Sequence, residues 1–320
     1  MKDNGPYVPP SGTRFVVRGQ TIGGSGGAAP AVMAIVNRTT DSFWSGARQW
    51  DMDVALRAVE DAVTHGADIV DIGGVRAGVG PPISVDEEIG RVVPFIHQVC
   101  QLFPDTAFSV DTYRAPVAQA AAQAGVHIIN DTWAGHDPNL VTVAATYHLG
   151  LVCSHTGGML PRTDPYRVAY PRRIGQATAA GPDKGDPRDG VLDDVLATVL
   201  ATAARAQQAG VPAESLLIDP THDFGKNTWH SLHLVRATQQ LVATGYPVLM
   251  ALSRKDFVGE TLGLGPDDRL EGTLAATAVA AWNGAHVFRA HDVKETRRVL
   301  DMVAALRGDI LPQRVTRATN

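Results

Sequence analysis

The chain has 320 residues, of which 44% are hydrophobic and 19% charged, and its formal net charge is −5. This composition is typical of a globular protein with a large core, and it offers neither a basic patch for nucleic acid nor an apolar run of about 18 residues for a membrane span. Because no signal-peptide pattern opens the chain, and Cys100 and Cys153 lie in apolar surroundings, we expect a cytoplasmic protein with two structural thiols.

The first predicted elements are a short hairpin over residues 15–23 and, from residue 31 onward, eight short apolar runs. These runs are apolar almost throughout, as parallel strands covered on both faces usually are. They span residues 31–37, 67–74, 107–112, 127–132, 150–155, 216–220, 247–252 and 285–291.

Helical patterns fill the intervals, for example over residues 53–66 and 273–285, and a last helix is predicted around 293–307. Eight strand–helix units over about 280 residues favour an α/β fold of the (β/α)₈ TIM barrel type over an open doubly wound sheet. No Gly-x-Gly-x-x-Gly follows the first run, which argues against a dinucleotide-binding fold. The predicted parts are an N-terminal extension with hairpin (1–30), one barrel (31–308) and a C-terminal tail (309–320).

A long segment rich in Gly, Pro and Arg, residues 156–190, follows the fifth strand. A connection of this length is usually either a functional lid or a disordered insertion, and the sequence leaves both open. Its arginines are expected to form a solvated face rather than an anion site. They are Arg162, Arg167, Arg172 and Arg173.

Seven of the eight strands end in polar residues, which an α/β barrel would bring together on the face that carries active sites. A single Asp in such a place is more often a helix cap or a turn residue, but capping alone does not account for the whole ring. We therefore predict a small-molecule site. The polar residues are Asn37, Asp71, Asp111, Asn130 with Asp131, His155, Asp219, and Arg289 with His291.

The types of side chain in this ring indicate the kind of ligand. The carboxylates and amide of Asp111, Asn130 and Asp219 suit a planar heterocycle with N–H donors along one edge. We therefore expect this side of the site to bind a polar ring.

The remaining polar groups suit an anion. Lys255, Arg289 and His291 offer cations and donors, and arginine matches the geometry of phosphate oxygens. Asn37 has a neutral oxygen for Mg²⁺, which takes few protein ligands beside substrate phosphates and water. A heterocycle carrying phosphate is thus the predicted ligand.

Eight short motifs resemble those of the dihydropteroate synthase family, in family order and over about residues 31–305. They are MAIVNRTTDSF (33–43), DIGG (71–74), SVDTYR (109–114), IND (129–131), DPTHDFGK (219–226), SRK (253–255), EGT (271–273) and RAHDV (289–293). The resemblance implies condensation of 6-hydroxymethyl-7,8-dihydropterin diphosphate with p-aminobenzoate, a reaction also open to sulfone and sulfonamide analogues, and a homodimer.

The resemblance also implies roles for individual residues. Residues that match the pterin-binding groups are Asp111, Asn130, Asp219, Phe224, Gly225 and Lys255. Residues that match the diphosphate-binding groups are Asn37, Arg289 and His291, with Asn37 also meeting Mg²⁺. Together with Lys255 these three form the expected catalytic set, which would stabilise the leaving pyrophosphate.

Several motifs depart from the family pattern. Thr40 replaces a proline after the first strand, and VRAGVGPP (75–82) replaces ESTRPG after the second, leaving Arg76 as a possible substitute. Both loops would position the aminobenzoate. Ala251 adds a methyl group near the pterin, and Ser154 replaces a methionine.

Two further departures lie in DPTHDFGK, where Thr221 and Asp223 occupy usual glycine positions and predict a rearranged loop. The pattern as a whole resembles the divergent second copies called dihydropteroate synthase 2, which are often inactive. A fully active synthase and a non-catalytic pterin-binding or partner subunit stay open as alternatives, whereas a pterin-binding methyltransferase would not need the anion-binding residues.

A few other residues receive structural interpretations. Lys226 is interpreted as an exposed lysine or a phosphate contact, and His222 and His230 as surface or loop histidines. Of the tryptophans, Trp44 and Trp133 are expected to flank the site, and Trp50 to pack against the barrel.

Overall fold

The computed structural model describes residues 13–23, 29–38, 45–163, 170 and 190–317, and only the backbone of 45–51. It begins with the predicted hairpin, formed by the antiparallel strands β1 (Phe15–Val17) and β2 (Gln20–Ile22). Eight parallel strands then form one sheet. They are β3 (Ala31–Asn37), β4 (Ile69–Gly73), β5 (Ala107–Asp111), β6 (Ile128–Asp131), β7 (Gly150–Cys153), β8 (Leu216–Ile218), β9 (Leu249–Met250) and β10 (Val287–Ala290).

Ten α-helices lie between and after these strands in the part of the chain that the structure describes. They are α1 (Ser45–Thr64), α2 (Val85–Leu102), α3 (Ala115–Gln123), α4 (Leu140–Thr146), α5 (Val191–Ala209), α6 (Thr228–Arg236), α7 (Thr238–Val242), α8 (Asp256–Leu262), α9 (Leu270–Trp282) and α10 (Val293–Arg307). Short 3₁₀ helices cover Ala213–Ser215 and Pro266–Asp268.

The sheet closes into a barrel. Its strands follow chain order from β3 to β8, and β10 pairs with both β3 and β9. A single parallel bridge between Ile218 and Val248 joins β8 to β9 and completes the ring. The predicted (β/α)₈ barrel with an N-terminal hairpin is therefore confirmed.

The hairpin closes the amino-terminal end of the barrel. Phe15 and Val17 are buried in the apolar cluster that fills the barrel interior, together with Met33 of β3. A side chain at Gly150 would meet both hairpin residues, since an added Cβ would lie 3.2 Å or less from each. Only the carboxyl-terminal end is thus left for a ligand, as in other α/β barrels.

Several predicted boundaries differ from the structure by a few residues. Helix α1 begins at Ser45, eight residues earlier than predicted, and α9 ends at Trp282 because the chain turns at Gly284, whose φ is 95°. Strand β9 starts only at Leu249, since Pro247 has no N–H and the Val248 N–H donates to the His286 ring instead of the ladder.

Other parts of the prediction agree with the described residues. Helix α10 has the predicted bounds, and Cys100 and Cys153 are free thiols, the second fully buried. No described helix has the length and apolarity to cross a membrane. The predicted insertion lies between β7 and α5, but residues 164–169 and 171–189 fall outside the described residues.

Candidate functional site

Four polar side chains from β4, β5, β6 and β10 meet at the open end of the barrel around Asp71. Its carboxylate is fully buried and accepts hydrogen bonds from Arg289 Nε at 2.7 Å and Asn130 Nδ2 at 2.8 Å. Ser109 Oγ donates a further hydrogen bond to it. The sequence placed Asp71 in the polar ring but gave it no role in the site, whereas the structure makes it the centre of this network.

Arg289 connects Asp71 to a second carboxylate. Its Nη2 donates to Asp111 at 3.0 Å, and Thr132 Oγ1 donates to the other oxygen at 3.1 Å. Burial raises the pKa of Asp111 to about 7, although the charge of Arg289 opposes the shift. Burial would lower the pKa of Arg289, but Asp71 and Asp111 raise it. The site thus holds a permanent cation beside a carboxyl group that gains a proton near neutral pH.

Asn130 presents an acceptor to the site. Its side chain is fully buried, and Nδ2 is used by Asp71. Its Oδ1 has no hydrogen-bond partner among the residues that the structure describes. Because an unpaired buried acceptor costs on the order of 1–3 kcal/mol, this oxygen is suited to an N–H donor of a ligand.

Asp219, directly after β8, supplies the next buried carboxylate. Its Oδ1 accepts from the Thr221 backbone N–H at 2.7 Å. Burial raises the pKa of Asp219 to about 6, against the nearby charges of Lys255, Lys226 and Arg289. Asp219 is therefore electrostatically coupled to the cations of the site.

Lys255 lies at the start of α8, next to two aromatic rings. Its Nζ is 4.6 Å from the centroid of the Phe224 ring, and Phe224 packs edge-on against Trp133 with centroids 5.1 Å apart. Burial lowers the pKa of Lys255, while Asp223 raises it. An ammonium group, two apolar rings and the neighbouring Asp219 carboxylate together suit a flat polar ligand.

His291 follows β10 and hydrogen-bonds to Ser253, with 3.0 Å between Nδ1 and Oγ. Burial and the charge of Arg289 lower the pKa of His291 to about 4. The shift favours the uncharged imidazole, which offers an anion one N–H donor at the exposed rim of the mouth.

Asn37 ends β3 on the rim of the same mouth. A Cβ placed on Gly73 would lie 3.1 Å from Asn37 Oδ1 and 3.6 Å from Asp111 Cβ, so the two side chains are neighbours. The described residues contain no group of three His, Cys, Asp or Glu side chains that could hold a metal ion. A Mg²⁺ ion here would therefore depend on Asn37 together with ligand phosphates and water.

Lys226 is neither an exposed lysine nor free to contact a phosphate, so both interpretations from the sequence were wrong. The side chain is 1% exposed, and its Nζ donates to the backbone carbonyls of His155 at 2.9 Å, Thr221 at 3.0 Å and Phe224 at 2.9 Å. Burial lowers the pKa of Lys226 to about 7. Lys226 thus links the loop after β8 to the residue that follows the end of β7, and its role is to stabilise this loop.

The two histidines of this region are buried and so are not surface residues; His222 lies in the loop after β8, whereas His230 lies in α6. The His230 ring accepts from the Asn227 backbone N–H in a capping box that starts α6, which gives it a structural role. His222 packs beside Phe257 with ring centroids 5.7 Å apart. The short polar loop gave no signal of this burial in the sequence.

The loop after β8 has a left-handed backbone at three residues, so Thr221 and Asp223 adopt the positive φ that the usual glycines would allow. The φ angles of Thr221, Asp223 and Gly225 are 54°, 67° and 62°. Side chains at the first two positions therefore adopt a conformation that glycine takes at no cost. Their hydrogen bonds offset the strain: Thr221 Oγ1 donates to the Asp219 carbonyl, and Asp223 accepts from Ser231 Oγ.

Two residues of the predicted ring do not face the mouth. His155 is fully buried and its Nε2 lies 2.8 Å from Asp194 of α5. Asp131 accepts from the backbone N–H groups of Trp133 and Gly135 and stabilises a turn. Ser154, next to His155, accepts from the Ala134 N–H at 2.9 Å.

The loop after β4 lies over Asp111. Val75, Arg76 and Ala77 face Asp111 and Trp133 across a cavity of about 10 Å³, close to the volume of a single water. Trp133 therefore flanks the site as predicted. The other aminobenzoate loop, residues 39–44 with Trp44, and the Trp50 side chain lie outside the described residues.

Comparison with known proteins places these residues in a wider context. The family described as pterin binding enzyme matches residues 33–291. The chain is 53% identical to the inactive dihydropteroate synthase 2 of Mycobacterium leprae, over 89% of this chain and 94% of that protein. It is 34% identical to the dihydropteroate synthase of Escherichia coli, over 86% of this chain and 91% of that enzyme. A structure of Yersinia pestis dihydropteroate synthase with a sulfonamide drug superimposes with a TM-score of 0.78 and 32% identity, covering 93% and 100% of the two chains.

Proposed function

The chain belongs to the pterin-binding enzyme family, and on that premise we propose that it is a divergent dihydropteroate synthase homologue with a retained pterin pocket and weak or lost condensation activity. One observation carries the proposal. The unpaired Oδ1 of Asn130 lies in a network with the buried carboxylate of Asp71 and the partly exposed one of Asp111, and it requires a donor that the described residues do not supply.

The pterin ring offers the donors that this pocket lacks. Its amino group and ring N–H groups lie along one edge, where Asp111, Asn130 and Asp219 present acceptors. Lys255 would donate to the ring carbonyl, and Phe224 with the Gly225 backbone would contact the ring face. In this assignment the carboxylate and amide oxygens of the pocket accept hydrogen bonds from the pterin, and Lys255 donates one to it.

Arg289, His291 and Asn37 are proposed to bind the diphosphate. Arg289 keeps its charge because it lies between two carboxylates, and His291 adds a neutral donor. Asn37 would hold Mg²⁺ through its side-chain oxygen. When bound, the metal would withdraw charge from the leaving pyrophosphate. Arg289 and His291 would stabilise that same charge as the bond to the pterin methylene group breaks.

The part of the site that would hold the arylamine is poorly formed. The loop after β4 lacks the Ser-Thr-Arg-Pro of the family motif, and it leaves only a small cavity beside Asp111. Since condensation requires the amine to be held within attack distance, we propose that p-aminobenzoate and its sulfonamide or sulfone analogues bind poorly here. The similarity to a relative named as inactive supports weak or lost condensation activity.

We infer a homodimer formed through the outer helices. Val279 of α9 and Met302 and Leu306 of α10 are large apolar side chains with 48–63% exposure, and these two helices pack against each other. Such exposed apolar groups on neighbouring helices are typical of a protein interface.

A reducing cytoplasm stays the proposed location, because Cys100 and Cys153 are free.

Release of pyrophosphate tests the proposed function. The chain is incubated with the pterin diphosphate and Mg²⁺, with and without p-aminobenzoate, beside an active synthase. We expect pterin binding without release above the uncatalysed rate. Turnover at the level of the active synthase would favour the fully active alternative, and failure to bind the pterin diphosphate would favour a non-catalytic partner.

A further inference from the structure

The loop after β7 reaches the loop after β4 through one side chain. Arg162 Nη1 donates to the carbonyl of Pro81 at 2.8 Å, and its Nε lies 3.4 Å from the carbonyl of Gly78. The guanidinium group therefore binds two backbone acceptors of the altered loop 75–82, whereas the sequence assigned Arg162 to a solvated face. The other three arginines of that group lie outside the described residues.

The position of these loops in the barrel makes the contact a long-range one. Strands β4 and β7 are separated on the ring by β5 and β6, which carry Asp111 and Asn130. A contact between loops that follow β4 and β7 therefore extends across this side of the barrel mouth. It connects a segment absent from the family motifs with the loop that faces Asp111.

Two local features fit the side chain of Arg162 to this place. Arg162 has a left-handed backbone, with a φ of 61°, a conformation that is strained for a non-glycine residue. Gly80 lies directly under the guanidinium group, since a Cβ there would be 2.8 Å from Nη2. The contact thus depends on a strained residue in one loop and on a missing side chain in the other.

A second residue of the same segment is attached to the opposite side of the mouth. The Tyr170 hydroxyl donates to the Gly225 carbonyl at 2.6 Å, and the side chain is buried. Its ring lies between those of His155 and His230, with centroid distances of 5.7 and 5.0 Å. Because Gly225 follows β8, which lies opposite β4 on the ring, the segment contacts both sides of the pterin pocket.

We propose that Arg162 is a positioning residue that holds the loop 75–82 over Asp111 and so controls access of a ligand to the pocket. The Arg162 clasp is defined as Arg162 with its acceptors Gly78 and Pro81. The inference rests on the proposed function, because the pocket under the loop is the proposed pterin site. The cavity of about 10 Å³ beneath residues 75–77 is far smaller than a usual ligand pocket of about 300 Å³ or more, so this loop has to move before a ligand can extend to that side.

The clasp is suited to opening and closing. Its two hydrogen bonds lie at the surface, where hydrogen bonds to water replace them at little net cost. Residues 78–82 of the loop are exposed, with Val79 at 72%, while Val75 and Ala77 are half-buried. Loss of the guanidinium group should therefore release the loop without unfolding the barrel.

Hydrogen–deuterium exchange of the full chain tests the clasp without any ligand. Arg162→Ala should raise the amide exchange rate of residues 75–80 several-fold and leave β3 to β10 unchanged. Gly80→Ala should have the same effect by displacing the guanidinium group, and the double variant should equal either single variant. Arg236→Ala, which removes an exposed arginine at the far end of α6, is the matched control.

Stopped-flow binding of pteroic acid, which joins a pterin to p-aminobenzoate, then tests access. Arg162→Ala should raise its association rate several-fold over that of the wild type and of Arg236→Ala. Unchanged exchange in both clasp variants, additive effects in the double variant, or an unchanged association rate would each overturn the proposal. Absence of pteroic acid binding in every variant would instead overturn the proposed pterin site, while the exchange comparison would still decide whether Arg162 holds the loop.

Discussion

Arg289 donates its Nε–H to the buried carboxylate of Asp71 at 2.7 Å, so an arginine of the last barrel strand is fixed by the second strand of the ring. The pair orients the guanidinium group toward Asp111 and keeps a cation at the mouth. A phosphate-binding arginine gains from such fixation, because less conformational entropy is lost when the anion binds.

Asp71→Asn should break this arrangement. The variant removes a charge that compensates Arg289 and leaves this largely buried cation with one carboxylate partner fewer, which typically costs about 3 kcal/mol or more. Urea unfolding should show that loss, and inorganic pyrophosphate should bind more weakly. Asp61→Asn changes an exposed carboxylate of α1 and should leave both values unaltered. Equal stability of the two variants would contradict the role assigned to Asp71.

Lys226→Met should destabilise the protein at pH 7 by about 3 kcal/mol, because three buried carbonyls lose their donor. The folded pKa of about 7 lies below the ordinary value of 10.5, so between these values the unfolded chain binds more protons. The contribution of Lys226 to stability therefore rises with pH in this window, by up to about 1.4 kcal/mol per unit. Urea unfolding at pH 7 and pH 9 should show this rise in the wild type and in the exposed control Lys294→Met, and it should be lost in Lys226→Met.

The left-handed backbone of Thr221 can be tested with two substitutions. Thr221→Val keeps the strain and removes the hydroxyl that bonds to His155 N and the Asp219 carbonyl, at a cost of about 2 kcal/mol. Thr221→Gly loses the same bonds but relieves about 1–2 kcal/mol of backbone strain, so it should lie close to the wild type. Thermal unfolding that ranks glycine below valine would contradict the strain.

Pterin affinity should fall with falling pH. Burial raises the pKa of Asp219 to about 6 and that of Asp111 to about 7, and a ligand that donates N–H bonds needs the ionised carboxylates. As the pH falls below 6, the dissociation constant should rise at least about tenfold per unit. Asp219→Asn should bind more weakly with a flatter profile, and a wild-type affinity that does not change from pH 8 to pH 5 would contradict the assignment.

Much of the site follows from the chain alone because barrel topology determines where strand ends meet. Asp111, Asn130, Asp219 and Arg289 end their strands in the sequence, and the parallel ring brings them to one end of the barrel. Their gathering needs no knowledge of loop conformation. The same rule located Asp71 in the ring, but it could not tell which of its neighbours the carboxylate binds.

The remainder depends on loop conformation, which the residue pattern does not determine. The burial of Lys226 could not be predicted, because its three acceptors are backbone carbonyls, which any residue type carries. Arg162 reaches a loop 81 positions away in the chain, and no periodicity reports such a contact. The positive φ angles of Thr221 and Asp223 were missed because neither residue favours that conformation as glycine does.

Titration calorimetry with 6-hydroxymethyl-7,8-dihydropterin diphosphate and Mg²⁺ tests the retained pterin pocket most directly. The wild-type chain and Asp61→Asn should give a saturable heat of binding with one site per chain, and a folded Asp219→Ala variant should give none. Absence of heat in the wild type, or equal affinity in Asp219→Ala, would contradict the proposal that this barrel mouth binds a pterin.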